Sequence, residues 1–216
     1  MKTHLLRPLG FLAMALTLHA QAETQAPADA VALWDSTWAQ YQALEAVPLD
    51  ARGYVSASQD LSIVIKAPLK KVFRIYSDVN NAIGLHPFLK SIVPVRRIEV
   101  KCVPTYDFIA YEDIPMADGS IFHGVTVAQQ RFFAKQHHYD ADSFDVPGIV
   151  THQHITFTRV PGGTQVTEHL TFEAPPLYIN QTVQGGVYAH TQVQVGLKQK
   201  IESGAFKDER SDYEHD

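Results

Sequence analysis

The chain has 216 residues, with 18 Lys and Arg against 23 Asp and Glu, a formal charge of −5, and 45% hydrophobic residues. That size suits one sizeable core, and the acidic balance argues against a nucleic-acid partner, because phosphate binding draws on a concentrated basic surface. The lone cysteine, Cys102, excludes an intramolecular disulfide. With no His or acidic motif beside it, it reads as a small buried apolar residue near a strand end, not as a nucleophile.

Residues 1–22 read as a secretory signal. Lys2 and Arg7 supply a positive start, Leu9 to Leu18 a short apolar core, and Ala20-Gln21-Ala22 small residues at the cleavage-defining positions. A membrane anchor would need about 18 or more consecutive apolar residues, more than this core offers, and no other segment is long and apolar enough to span a bilayer. The mature chain is expected to begin at Glu23, to be periplasmic or secreted, and to carry −7 once Lys2 and Arg7 are lost.

Residues 23–58 form a polar leader, an amphipathic helix and a linker. Val31, Trp34, Trp38 and Tyr41 recur at three- and four-residue intervals on one helical face, with Asp29 placed to cap the start and Pro48 to limit the end. The aromatic stripe has two readings: packing of the helix against the outside of the domain, or a partner-binding surface. Leu49 to Ser58 then leads to the main domain, residues 59–204.

Leu61, Ile63 and Ile65 alternate with Ser62, Val64 and Lys66, the pattern of a strand with one buried face. Pro68 ends it and opens a helix with a stripe of Val72, Phe73 and Tyr76, and a shorter helix or turn covers Asn80 to Phe88. Strands are predicted near Ile92 to Val100, Thr105 to Ile114, Ser120 to Lys135, His137 to Phe144, Ile149 to Val160 and Thr164 to Ala174. Asp118-Gly119, Pro147-Gly148 and Pro161-Gly162-Gly163 are suitable turns between them, so the run reads as an antiparallel meander long enough to curl. In the last segment Val183, Val187, His190, Leu197 and Ile201 share a helical face. Val187 to Leu197 also alternates as a strand would, and Gly185 and Gly186, read as breaker residues, weaken a helix. Residues 205–216 are polar and charged and read as a flexible tail.

The run Ala67-Pro68-Leu69-Lys70-Lys71-Val72-Phe73-Arg74-Ile75-Tyr76-Ser77-Asp78-Val79, followed by His86-Pro87-Phe88-Leu89-Lys90-Ser91-Ile92, resembles the START-like (SRPBCC) superfamily. The likeness is to its polyketide cyclase/dehydrase and coenzyme-Q-binding members and covers Asp60 to Gly204. It implies an α+β helix-grip fold, a curved antiparallel sheet around a long C-terminal helix and a ligand cavity, here with an extra N-terminal helix. On that ground the last segment is taken as helix.

His152 and His154, two apart on one strand, and His169 on the next raise the question of a metal. Strand alternation answers it: Ile155 and Phe157 face opposite to the first two, and Leu170 and Phe172 opposite to the third, so the histidines point to solvent and neither metal nor cofactor is predicted. The same alternation selects a cavity set. Val125 and Val127 share a face with His123 and Arg131, Glu168 shares one with Leu170 and Phe172, and His190 lies with Val187 and Leu197 on the terminal helix. Together with Ile155 and Phe157 these are the expected ligand-binding residues, apolar walls with a small polar constellation. The bland alternatives are an internal Arg131–Glu168 ion pair and core histidines bonded to backbone. No Gly-x-Ser-x-Gly elbow, paired-cysteine motif or phosphate loop is present, and no catalytic residue is assigned.

The function these features suggest is an exported binding protein or carrier for a hydrophobic or amphipathic small molecule, such as a lipid, quinone or polyketide-like compound. Carriage implies a protein or membrane partner for transfer. Two other readings stand beside it: a cyclase or dehydratase-like enzyme using His123, His190 or Glu168 as general acid or base, and an interaction module built on the aromatic helix.

Overall fold

A computed structural model describes residues 26–116, 118–145 and 148–206. The secretory segment, most of the tail and Pro147 of one predicted turn lie outside them. The elements are α1 (Ala28–Glu45), β1 (Val55–Ile65), α2 (Leu69–Tyr76), a 3-10 turn (Val79–Ala82), β2 (Leu89–Val100), β3 (Val103–Pro115), β4 (Ile121–Phe133), β5 (His138–Asp145), β6 (Val150–Val160), β7 (Gly163–Ala174) and α3 (Ile179–Glu202). No helix among the described residues is long and apolar enough to cross a membrane.

All seven strands join one curved antiparallel sheet in the order β1-β7-β6-β5-β4-β3-β2. The meander from β2 to β7 is therefore read directly from its hairpins, and β1 returns to pair with β7 along its whole length. That pairing begins at Val55 opposite Ala174, so the end of the predicted linker is already strand. Along β2 the register slips twice, between Leu89 and Ser91 and between Pro94 and Arg96. The β2–β3 turn is tight, with Lys101 and Cys102 both at positive φ (50° and 64°), and this puts Cys102 in solvent instead of in the core.

Each face of the sheet has its own cover. On the inner face α2 and α3 pack on β1, β6 and β7 around Ile65, Val72, Ile155, Phe157, Val166 and Leu197. On the outer face α1 lies across β2, β3, β4 and β5, burying Trp34, Trp38 and Tyr41 against Val95, Ile109, Val127, Phe144 and Val150. Trp34 stacks on Trp38 with ring centres 4.9 Å apart, and its indole N–H donates to the Ala128 carbonyl at 3.2 Å. Arg96 lies over the Trp34 ring and donates to Asp107 at 2.8 Å, which seals the outside of this seam. The aromatic stripe is thus spent on the sheet, which leaves the interaction-module reading without its surface. Asp29 falls in the first turn of α1, and Pro27 stands at the cap position.

Because Trp38 is only 8% exposed and anchors this second core, Trp38→Ala is expected to cost about 3–5 kcal/mol. Urea unfolding monitored by far-UV circular dichroism measures it, and an unchanged midpoint would contradict the packing described.

Candidate functional site

Between α3 and the inner face lies a cavity of about 510 Å³. Its walls are largely apolar: Val79, Leu89, Ile92, Phe108, Ala110, Ile114, Phe122, Ala128, Ile149 and Phe172 contribute side chains from the 3-10 turn, strands β2, β3, β4 and β7, and the turn before β6. It reaches the surface where the β3–β4 hairpin faces the start of α3, since the lining residues Phe122 and Tyr178 are 36% and 43% exposed. Helix α3 comes very close to the sheet here. A Cβ on Gly186 would stand 2.5 Å from the Phe172 ring, so the two glycines read as breakers lie within the helix and one of them, Gly186, lets it pack down on a wall residue.

One polar group of the cavity is fully paired. Glu168, 2% exposed on β7, accepts hydrogen bonds from the Tyr76 hydroxyl of α2, from His190 Nδ1 of α3 at 2.6 Å and from Gln194 Nε2 of α3 at 3.1 Å. Burial alone would raise its pKa. The positive charge of His190 and these hydrogen bonds outweigh burial and hold the carboxyl below the ordinary range.

A second polar group lies farther toward the surface. Ala110, Thr126 and Asp145 are consecutive register partners across β3, β4 and β5, and Thr126 Oγ1 donates to Glu112 Oε2 at 3.0 Å. Glu112 and Asp145 therefore flank Thr126 on the inner face. Burial pushes the Glu112 carboxyl up, and burial, with the nearby charge of Glu112 adding to it, pushes Asp145 to about 6 although the Ile149 N–H bonds it at 2.8 Å. His86 places Nε2 3.8 Å from Glu112 while its Nδ1 accepts from the backbone N–H of Phe88 and of Leu89. Burial, then the charge on His190, lowers it to about 4, so it is neutral at pH 7 and lends Glu112 no positive charge.

The predicted site residues divide into three sets. Glu168, Phe172, His190 and Leu197 line the cavity. Ile155, Phe157 and Leu170 face inward as the alternation predicts and are buried, but they lie outside the cavity lining, Ile155 and Phe157 in the core between α2 and the sheet. On the terminal helix the lining takes Gly186 and Ala189 in place of Val187. The β4 assignment is inverted: Val125, Val127, His123 and Arg131 lie on the outer face, and Phe122, Thr126, Ala128 and Gln130 line the cavity.

The cause is α1. By covering β2 to β5 it makes both faces of these strands apolar, and alternation then has no unique phase. Arg131 consequently pairs with Asp142 at 2.7 Å, far from Glu168, and His123 pairs with Asp113 in solvent. The residues missed, His86, Glu112, Gln130 and Asp145, all sit on or beside these doubly covered strands. An acidic residue on each of the two strands that flank β4, Glu112 on β3 and Asp145 on β5, was the one available signal.

His152, His154 and His169 lie on the outer face, each with a carboxylate: Asp142 at 2.7 Å, Asp140 at 2.6 Å and Asp60 at 2.5 Å. Two sets there have metal-ligand spacing: His138, Asp140 and His154, and Glu45, His152 and Glu173. In the second, Arg52 already bridges Glu45 and Glu173.

No protein-family model matches the sequence, and no curated protein does. Solved structures do match in fold. A protein of Thermus thermophilus superposes with a TM-score of 0.53 at 16% identity, over 70% of this chain and 99% of that one. A START superfamily protein of Mycobacterium smegmatis gives a TM-score of 0.50 at 12% identity over 68% of this chain and 97% of its own. The Zhui aromatase/cyclase of Streptomyces sp. R1128 gives 0.50 at 9% identity over 68% and 96%.

The two polar groups carry opposite pH signatures. Glu168, held below its ordinary 4.5, adds stability at neutral pH that is lost as pH falls through its folded value, whereas Asp145, raised from 3.8 to about 6, subtracts stability at pH 7 and ceases to do so as pH falls from 6 to 4. Asp145→Asn should therefore stabilise the protein at pH 7 by about 1–3 kcal/mol and have no effect near pH 3.5. Glu168→Gln should destabilise it at pH 7. Denaturant unfolding across pH 3.5 to 8 reads both, and a gain from Asp145→Asn that grew toward acid would contradict the assignment.

Proposed function

From the START-like helix-grip fold and the cavity it encloses, we propose that this chain is an exported binding protein that carries a hydrophobic or amphipathic small molecule through an aqueous compartment. The observation that carries the reading is the cavity of about 510 Å³, apolar in most of its lining, with its carboxyl groups at a few separate places on the wall. That volume falls within the range of about 300–1,000 Å³ usual for small-molecule sites. Burying a ligand's apolar surface there is worth roughly 25 cal/mol per Å², and the polar groups fix its orientation. Export is supported by Lys2, Arg7, the apolar stretch Leu9 to Leu18 and Ala20-Gln21-Ala22. Exchange of a lipid, quinone or polyketide-like cargo would take place with a membrane or a protein partner.

A second reading, acid-base catalysis of the cyclase or dehydratase kind, is favoured by one arrangement. His190 lines the cavity with its Nδ1 on the buried Glu168, which is itself bonded by Tyr76, so Nε2 is free to exchange a proton with a bound molecule.

Native mass spectrometry of protein purified from its own compartment separates the two. A retained compound identical to one in the surrounding membrane supports carriage, and a compound altered by wild type but not by His190→Gln supports catalysis. In vitro the neutral dye Nile red is expected to bind the wild type, and Ala128→Phe, which fills the wall, is expected to weaken it at least tenfold with the fold intact by circular dichroism. Equal binding by both proteins would remove the cavity from the function. N-terminal sequencing of the mature protein should begin at Glu23, and an intact Met1 in the cytoplasm would remove export.

A further inference from the structure

The cavity is electrostatically one-sided. Asp78, Glu112, Asp145 and Glu168 line it, and no Lys or Arg is among the described lining residues. Glu168 is balanced by His190, and Asp78 accepts from the Asn80 backbone N–H at the exposed start of the 3-10 turn, beside the neighbouring recess that holds Arg74 and Arg97. Glu112 and Asp145 remain, flanking Thr126, with hydrogen bonds from a hydroxyl and a backbone N–H but no Lys or Arg partner among the described residues. His86, beside Glu112, has Nδ1 committed as an acceptor from two backbone N–H groups and is neutral at pH 7, and His190, whose charge also acts on Glu112, makes its own ion pair with Glu168.

A separate atom makes the same demand. Gln130, 3% exposed, lines the cavity with Nε2 donating to the Ser77 carbonyl at 3.0 Å, and its Oε1 has no partner. The unmet hydrogen-bonding capacity of this cavity is thus acceptor capacity: two carboxyl groups short of positive charge and one amide oxygen short of a donor. A buried polar atom without a partner is costly, and a ligand donor that reaches it gains that energy on binding; Gln130 lies four residues along β4 from Thr126, so it calls for a donor on the ligand's body, separate from the group that meets the two carboxyls. A ligand carboxylate or phosphate would meet like charge in a low-dielectric space, which excludes it.

We propose that the molecule carried is a lipophilic amine, its ammonium held between Glu112 and Asp145 and its apolar body along Phe108, Ala110 and Ala128. This rests on the carrier reading and narrows it from hydrophobic molecules in general to cationic ones. The like charge that destabilises the empty site becomes, in the complex, the source of selectivity.

The test compares decylamine, decanol and decanoate, which share one chain length and differ in the polar end, by isothermal calorimetry at pH 7 on the full mature protein below their aggregation concentrations. The amine is expected to bind at least tenfold tighter than the alcohol, and the carboxylate weakest of the three. In the isosteric double variant Glu112→Gln/Asp145→Asn, checked for folding by circular dichroism, the amine should fall to the affinity of the alcohol while the alcohol keeps its own. Nile red is titrated in parallel. If Nile red binds but amine and alcohol are equal, or the carboxylate binds best, the inference fails and carriage stands. The inference also fails if the double variant keeps the amine preference. If neither Nile red nor any of the three chains binds, it fails together with the carrier reading.

Discussion

A single buried carboxylate ties the inner architecture together. Glu168 is almost without solvent, and an ionised group there is tolerable only when donors surround it. Those donors come from two other elements: Tyr76 ends α2, and His190 and Gln194 lie one turn apart on α3. Satisfying one charge therefore fixes both helices against β7, and the space left between α3 and the sheet is the cavity. Apolar packing of Leu197 and Ile201 with Val72 and Ile75 supplies most of the burial, but it is not directional. The carboxylate sets the rotation of α3 about its own axis, and so decides that His190 and Ala189 face the cavity.

Much of this was legible in the sequence wherever an element is covered on one side only. Strands β6 and β7 alternate cleanly because their outer positions, His152, His154 and His169, meet water and acidic neighbours, so Ile155, Phe157, Glu168 and Phe172 could be assigned inward. Strands β3 and β4 resisted for the opposite reason. Ile109 and Val127 serve the outer core under Trp34 and Trp38 while Phe108 and Ala128 serve the inner one. Alternation cannot rank two buried faces, and what breaks the tie is the footprint of α1, a long-range fact that no local window contains. The terminal helix shows a third case, in which Gly185 and Gly186 spoke against a helix by propensity, yet close approach to Phe172 requires a residue without a side chain.

The comparison with solved structures bears on the scaffold and leaves the site to be read on its own terms. At 9–16% identity the likeness is one of fold, and a fold of this kind hosts unrelated chemistries. What individualises this chain is the division of labour between its two faces. The outer one is neutralised by paired ions, Arg52 with Glu45 and Glu173 and Arg131 with Asp142, while the inner one keeps carboxyl groups with no Lys or Arg beside them among the described lining residues. Charge that is balanced outside and unbalanced inside is a property of the cavity, not of the net charge.

The two slips of register along β2 have a further consequence. A sheet that curls without closing leaves its outermost strands with unpaired backbone groups, an open template for another chain. On β2 that template is spoiled. Pro94 has no N–H to offer, and the slips at Leu89/Ser91 and Pro94/Arg96 interrupt its regular spacing. A second molecule meets an irregular edge there, which disfavours extension of the sheet and fibrils nucleated on this side.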